Sequence, residues 1–188
     1  YDAGNNVCSV AISADGEYIA AGTDTDFYLF DKDSSTPLWS YDAGGCSNEK
    51  TLAISEDGEF IVFGSDNGSI YLWGKDSSTP LWSYHVGNGV ESLSISADGS
   101  HIVAGTRAGD PVIFFFDRES STPRWTHDIG GDEDVVDIAI SADGNYITTT
   151  GPKLLLFSKS SGIPLWNATC GTCKVSISAD GEFIAVTS

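Results

Sequence analysis

Cys170-Gly-Thr-Cys173 is the stretch whose spacing alone suggests a chemistry, because two thiols three residues apart can form a redox dithiol, a local disulfide or half of a zinc site. Covalent haem attachment requires a histidine next, and Lys174 stands there. A zinc ion needs two further ligands, yet the chain has no second such pair and no paired histidines. The other two cysteines, Cys8 and Cys46, start successive repeats and are a candidate disulfide pair. Cys173 and Cys8 each stand five residues before the serine of a Ser-Ala-Asp-Gly tetrapeptide, a place that reads as a strand, so the structural reading of these thiols stands beside the redox one.

Other residues able to do chemistry are dispersed. His85 falls in one repeat and His101 and His127 on different strands of the next, and they share no spacing with a serine and an aspartate that would make a nucleophilic triad. The pairs Asp24/Asp26 and Asp31/Asp33 and the run Asp132-Glu133-Asp134 could supply oxygens to calcium, but Lys32 interrupts one and a downstream glutamate is missing, so solvated turn carboxylates are the reading adopted. Asn67 and Asn167 each stand in the acceptor pattern for N-glycosylation. No catalytic group, cofactor site or metal site is expected.

The composition narrows the partners. Twenty-seven acidic residues against nine basic ones give a formal net charge of −18, which repels phosphate backbones and anionic lipid headgroups. Nucleic acid is therefore not an expected partner, and no apolar run is long enough to span a bilayer as a helix. The absence of methionine, even at position 1, implies a processed chain or an excerpt. The acidity and the sequons favour an extracellular or cell-surface setting, with the cytoplasm as the alternative.

The elements that must position these residues come from a repeat. The tetrapeptide Ser-Ala/Glu-Asp-Gly begins at Ser13, Ser55, Ser96, Ser141 and Ser178, and "KDSSTPLWSY" occurs at 32–41 and again, unchanged, at 75–84. A second marker, Pro-x-Trp, ends at Trp39, Trp82, Trp125 and Trp166, at intervals of 43, 43 and 41 residues. Two markers with one period define a tandem repeat. Each unit contains four short strands: an alternating one ("SVAIS"), one after the Asp-Gly turn ("EYIAAGT"), a nearly all-apolar one ("FYLF", "IYLW", "VIFFF", "LLLF"), and one carrying the tryptophan ("LWSYDA"). A strand apolar on both faces is covered on both. Four antiparallel strands per unit, covered on both sides, describe an all-β propeller. The blades are expected over 5–44, 45–87, 88–130 and 131–170. Residues 1–4 would end a preceding blade, and 171–188 would give the first two strands of a further one. Four and a fraction blades do not close a ring, so the expectation is a segment of a seven- or eight-bladed propeller.

At these residues a family resemblance enters. "SADGEYIAAGTDTDFYLFD" resembles the WD40 repeat, with Trp73 nearest to that repeat's Trp-Asp. "YLFDKDSSTPLWSYDAGG" is similar to the repeat of pyrroloquinoline-quinone propellers, in which a last-strand tryptophan docks between blades. The resemblance implies that Trp39, Trp82, Trp125 and Trp166 make inter-blade contacts. It leaves the quinone-enzyme reading without its adjacent cysteine pair. The expected function is a non-catalytic scaffold that binds protein partners or surfaces. Its alternatives are a redox or quinone-type domain using the axis or Cys170/Cys173, and a secreted structural repeat protein. Residues that break the repeat are the expected partner-facing ones: Arg107, Asp110, Asp132, Glu133 and Asp134, with 44–50.

Overall fold

A computed structural model describes residues 2–46, 51–107, 112–130, 133–170 and 173–187. The described residues form eighteen strands and no helix. Each repeat makes one antiparallel meander. The first is β1 (Val7–Ile12), β2 (Tyr18–Thr23), β3 (Asp26–Asp31) and β4 (Trp39–Asp42). The second is β5 (Leu52–Ile54), β6 (Phe60–Gly64), β7 (Ser69–Gly74) and β8 (Trp82–His85). The third is β9 (Val90–Ile95), β10 (His101–Thr106), β11 (Ile113–Asp117) and β12 (Trp125–His127). The fourth is β13 (Asp137–Ile140), β14 (Tyr146–Thr150), β15 (Lys153–Ser158) and β16 (Trp166–Thr169). A hairpin of β17 (Lys174–Ile177) and β18 (Ile184–Thr187) comes last. Residues 2–4 belong to no strand, but Asp2 accepts the Gly4 N–H as Asp42 accepts that of Gly44 and Asp128 that of Gly130. They carry the turn that ends β4 and β12.

First strands of successive blades lie side by side, β1 on β5, β5 on β9, β9 on β13 and β13 on β17. The first strands are therefore inner and the half-exposed fourth strands outer. Second and third strands are deeply buried, with Leu29, Leu72, Phe115 and Phe116 of the third strands wholly covered, as strands apolar on both faces require.

The Ser-x-Asp-Gly tetrapeptide is a self-contained turn. Ser13 Oγ donates to Asp15 Oδ1 (2.6 Å) and accepts the Tyr18 N–H, Asp15 accepts the Glu17 N–H, and Gly16 sits at φ 73° where a side chain would be strained. Consecutive turns are then tied together. Ala14 N donates to Glu56 O, Glu56 N to Ala97 O, Ala97 N to Ala142 O and Ala142 N to Ala179 O, at 2.9–3.1 Å. Aromatic rings at the start of each second strand lie on the turn glycine of the next blade: Tyr18 on Gly58, Phe60 on Gly99, His101 on Gly144 and Tyr146 on Gly181. Every one of these contacts points from a blade to its successor.

Candidate functional site

Antiparallel meanders place the first-to-second and third-to-fourth strand turns on one face of the propeller. The β2–β3-type hairpins and the blade-to-blade connections fall on the other. On that second face each connection is bonded to a hairpin: Cys46 N to Thr23 O, Asp66 N to Gly45 O, Arg107 N to Gly89 O and Val135 N to Thr106 O. The residues that break the repeat collect there, on a frame fixed by backbone hydrogen bonds.

Arg107 does not stand alone on this face. Its Nε pairs with Glu91, and its Nη2 lies 3.4 Å from Asp66 of the preceding blade. The bonded Glu91 carboxylate, with Asp66 and Asp134 nearby, raises the guanidinium's already high pKa. Arg107 therefore staples two blades and leaves a half-exposed edge. Glu133 and Asp134 are exposed, while Asp110 and Asp132 lie outside the described residues, as does part of the 44–50 stretch.

The cysteines are bridged in sequence-local pairs. Cys8 of β1 joins Cys46 in the connection to β5, with Cα atoms 6.1 Å apart, and Cys170 joins Cys173 across 6.4 Å. Both bridges sit on the connection face. Asn67 is exposed in the β6–β7 hairpin, where its side-chain oxygen accepts the Ser69 N–H, and Asn167 is exposed on β16.

The four repeat tryptophans divide. Trp39 Nε1 donates to Lys75 O (2.7 Å), Trp82 to Arg118 O (2.6 Å) and Trp125 to Lys159 O (3.0 Å), each acceptor lying just beyond the next blade's third strand. Their rings pack on that strand's last aromatic, Trp73, Phe116 or Phe157, with centroids 5.4–6.0 Å apart. Trp166 departs from the expected docking role. It is 42% exposed, because the neighbouring sheet consists of β17 and β18 and has no third strand among the described residues. Two of the basic residues that supply the acceptor carbonyls also reach back over the preceding blade. Lys75 Nζ lies 5.9 Å from the Tyr18 ring and the Arg118 guanidinium 4.3 Å from Phe60.

Two groups escaped the sequence reading. Asp137 is fully buried at the start of β13 and connects three blades: its carboxylate accepts Ser92 Oγ (3.3 Å), Ile138 N (3.0 Å) and Val175 N (2.8 Å). Its counterparts, Ser9, Thr51 and Ser92, are buried hydroxyls, so the substitution of a carboxylate was visible when the repeats are aligned but its reach was not. The second is a cavity of about 170 Å³ at the seam of the third and fourth blades, lined among others by His127, Asp128, Thr149, Lys153 and Leu155. Among the described residues no three metal-ligating side chains converge.

With this geometry in place, the family comparison is decisive for architecture. Residues 2–31 and 45–74 match the model of the WD domain, G-beta repeat. The matches support a WD40-like β-propeller repeat architecture for the chain. No curated protein shows significant similarity to it. WD40 repeats generally mediate protein–protein interactions. The two matched segments run from the connection face through the first three strands of their blades, and Trp73, the residue nearest to the repeat's Trp-Asp but followed by Gly74, is wholly buried among Phe27, Trp39, Tyr41 and Tyr71. No helix of the described residues is long and apolar enough to cross a membrane.

Proposed function

We propose that the chain is a non-catalytic scaffold that engages a protein partner through the connection face. The observation supporting this reading is the division of labour between the two faces. The opposite face repeats one hydrogen-bonded turn five times, with Ser13, Ser55, Ser96, Ser141 and Ser178 in the same bonds to an aspartate two residues on. The connection face carries the departures: the Arg107 ion pairs, the acidic Glu133-Asp134 segment and both disulfides. Specificity resides where a constant frame presents variable loops. The net charge of −18 favours a basic surface on the partner and a rate of encounter that falls with salt. Two bridged cysteine pairs support an oxidising compartment, outside the cell or at its surface.

Carboxylate-directed cross-linking of the chain to its bound partner tests the reading. Cross-links should map to Asp66, Glu91, Glu133 and Asp134, and weaken on charge reversal there. Cross-links confined to Asp15, Asp57, Asp98, Asp143 and Asp180 would place the interface on the repeated-turn face and refute it.

A further inference from the structure

The seam between the third and fourth blades is built differently from the two before it. Aligned on the last third-strand aromatic, Tyr71 and Phe114 correspond to Leu155, while Tyr41 and Tyr84 of the fourth strands correspond to His127. At the first seam Tyr41 and Tyr71 fill the space with ring centroids 5.5 Å apart, and at the second Tyr84 and Phe114 do so at 6.2 Å. At the third seam both rings are replaced by smaller side chains, and the cavity opens between His127 and Leu155. The second strand changes at the same place. Positions that are Ala20-Ala21-Gly22, Val62-Phe63-Gly64 and Val103-Ala104-Gly105 become Thr148-Thr149-Thr150, and Thr149 and Thr150 line the space. An empty apolar hole of this size would cost stability. Here Ile129, Val135 and Leu155 line it together with Thr149, with Thr150, whose hydroxyl donates to Cys173 O, and with Asp128 and Lys153.

We infer that this seam is a binding site for a free aliphatic amino acid. A cavity of about 150 Å³ accommodates a benzene-sized body, so 170 Å³ takes the branched side chain of leucine. The apolar wall receives that side chain. Lys153 and Asp128, of opposite charge, match the carboxylate and ammonium groups of one zwitterion, whereas a ligand carrying a single charge meets one repulsive partner. The site is a cleft between rigid blades, the usual place for a small-molecule pocket, and does not depend on the protein-partner reading.

Calorimetric titration of the whole chain with leucine tests the inference, alongside 4-methylpentanoate, which lacks the ammonium, and 3-methylbutylamine, which lacks the carboxylate. Leucine should bind saturably and each analogue at least about tenfold more weakly, the loss of one charge-assisted contact. Lys153→Gln, an exposed change that leaves the core intact, should weaken leucine by a similar factor. His127→Tyr with Leu155→Phe reinstates the ring pair of the other seams and should abolish binding while the chain remains folded. The inference is overturned by no saturable binding of leucine, isoleucine or valine at about 10 mM. Equal binding of the singly charged analogues, or undiminished binding to the refilled variant or to Lys153→Gln, would overturn it as well.

Discussion

Replacing Trp125 and Trp166 in turn by alanine isolates what the repeat's tryptophan does, because the two residues share a sequence motif and differ in the blade they face. Trp125 is half-buried, donates its indole N–H to Lys159 O at 3.0 Å, and stacks between Phe115 (5.0 Å, 4° between planes) and Phe157 (5.4 Å). The hydrogen bond is worth about 1 kcal/mol, each ring pair about 0.5–1.5 kcal/mol beyond area burial, and truncating a fully buried tryptophan about 3–5 kcal/mol in all. Partial exposure puts Trp125→Ala near the lower end, at about 3 kcal/mol. For a chain of this length that is a fall in melting temperature of about 6–12 °C. Trp125→Phe keeps the stack and loses the donor, leaving Lys159 O to water, and should cost about 1–2 kcal/mol.

Trp166 has neither contact among the described residues and is 42% exposed, so Trp166→Ala should cost under about 1 kcal/mol. Thermal unfolding monitored by circular dichroism, with urea midpoints as a second measure, reads all three variants on one scale. Equal losses for Trp125→Ala and Trp166→Ala would refute the reasoning, since they would show that the residue stabilises its own blade and not the junction with the next.

Other junctions give three more expected outcomes. His101 is held below its ordinary pKa of 6.5 mainly by burial, with Lys159 and Arg124 acting in the same direction and Asp117 and Asp98 opposing them; the unfolded chain therefore takes up this proton first, and stability should fall as the pH drops below about 6.5. His101→Phe, which copies Phe60 of the preceding blade, should flatten that slope in pH-dependent melting curves, and an unchanged slope would exclude His101 as its source. Asp137→Ala strands the buried Val175 N–H and should cost about 1–3 kcal/mol in urea unfolding, with Asp137→Asn milder; a neutral Asp137→Ala would mean the three-blade connection carries no energy. Reduction of Cys8–Cys46, which spans 38 residues, should cost up to about 4 kcal/mol by loop entropy, far more than loss of the three-residue Cys170–Cys173 loop; comparing the melting of Cys8→Ser with that of Cys170→Ser separates them, and equal losses would contradict the loop-entropy account.

The blades were legible because their signals are local. Ser-x-Asp-Gly contains its own donors and acceptors, so Ser13 and Asp15 form the turn wherever the chain goes, and a run such as "LLLF" is covered on both faces in any arrangement that buries it. The tryptophan positions were legible from period alone. What period could not supply is a neighbour: Trp166 carries the motif without a docking partner among the described residues, and Arg107 breaks the repeat yet is bound inward by Glu91 and Asp66. Asp137 and the cavity were obscured for a related reason. Each depends on residues far apart in the chain, Ser92 with Asp137 or His127 with Leu155, whose meeting is a property of the seam between blades.

That dependence makes departures from the repeat more informative than its constancy. A junction encoded by one turn, one ring on a glycine and one indole on a carbonyl is already solved, so any seam that reuses those parts stays closed. The third seam keeps all three, through Ala97–Ala142, His101 on Gly144 and Trp125 on Lys159. It therefore retains its mechanical connection while its outer portion loses one aromatic ring, has a second replaced by the smaller His127 imidazole, and gains the Thr149 and Thr150 side chains. The Thr150 hydroxyl is used within the frame, donating to Cys173 O at 2.6 Å, so the polarity that the change adds to the cavity itself comes from Thr149. The conjunction of lost volume and gained polarity at one junction, with the docking contacts intact, is what a binding cleft requires of a rigid frame.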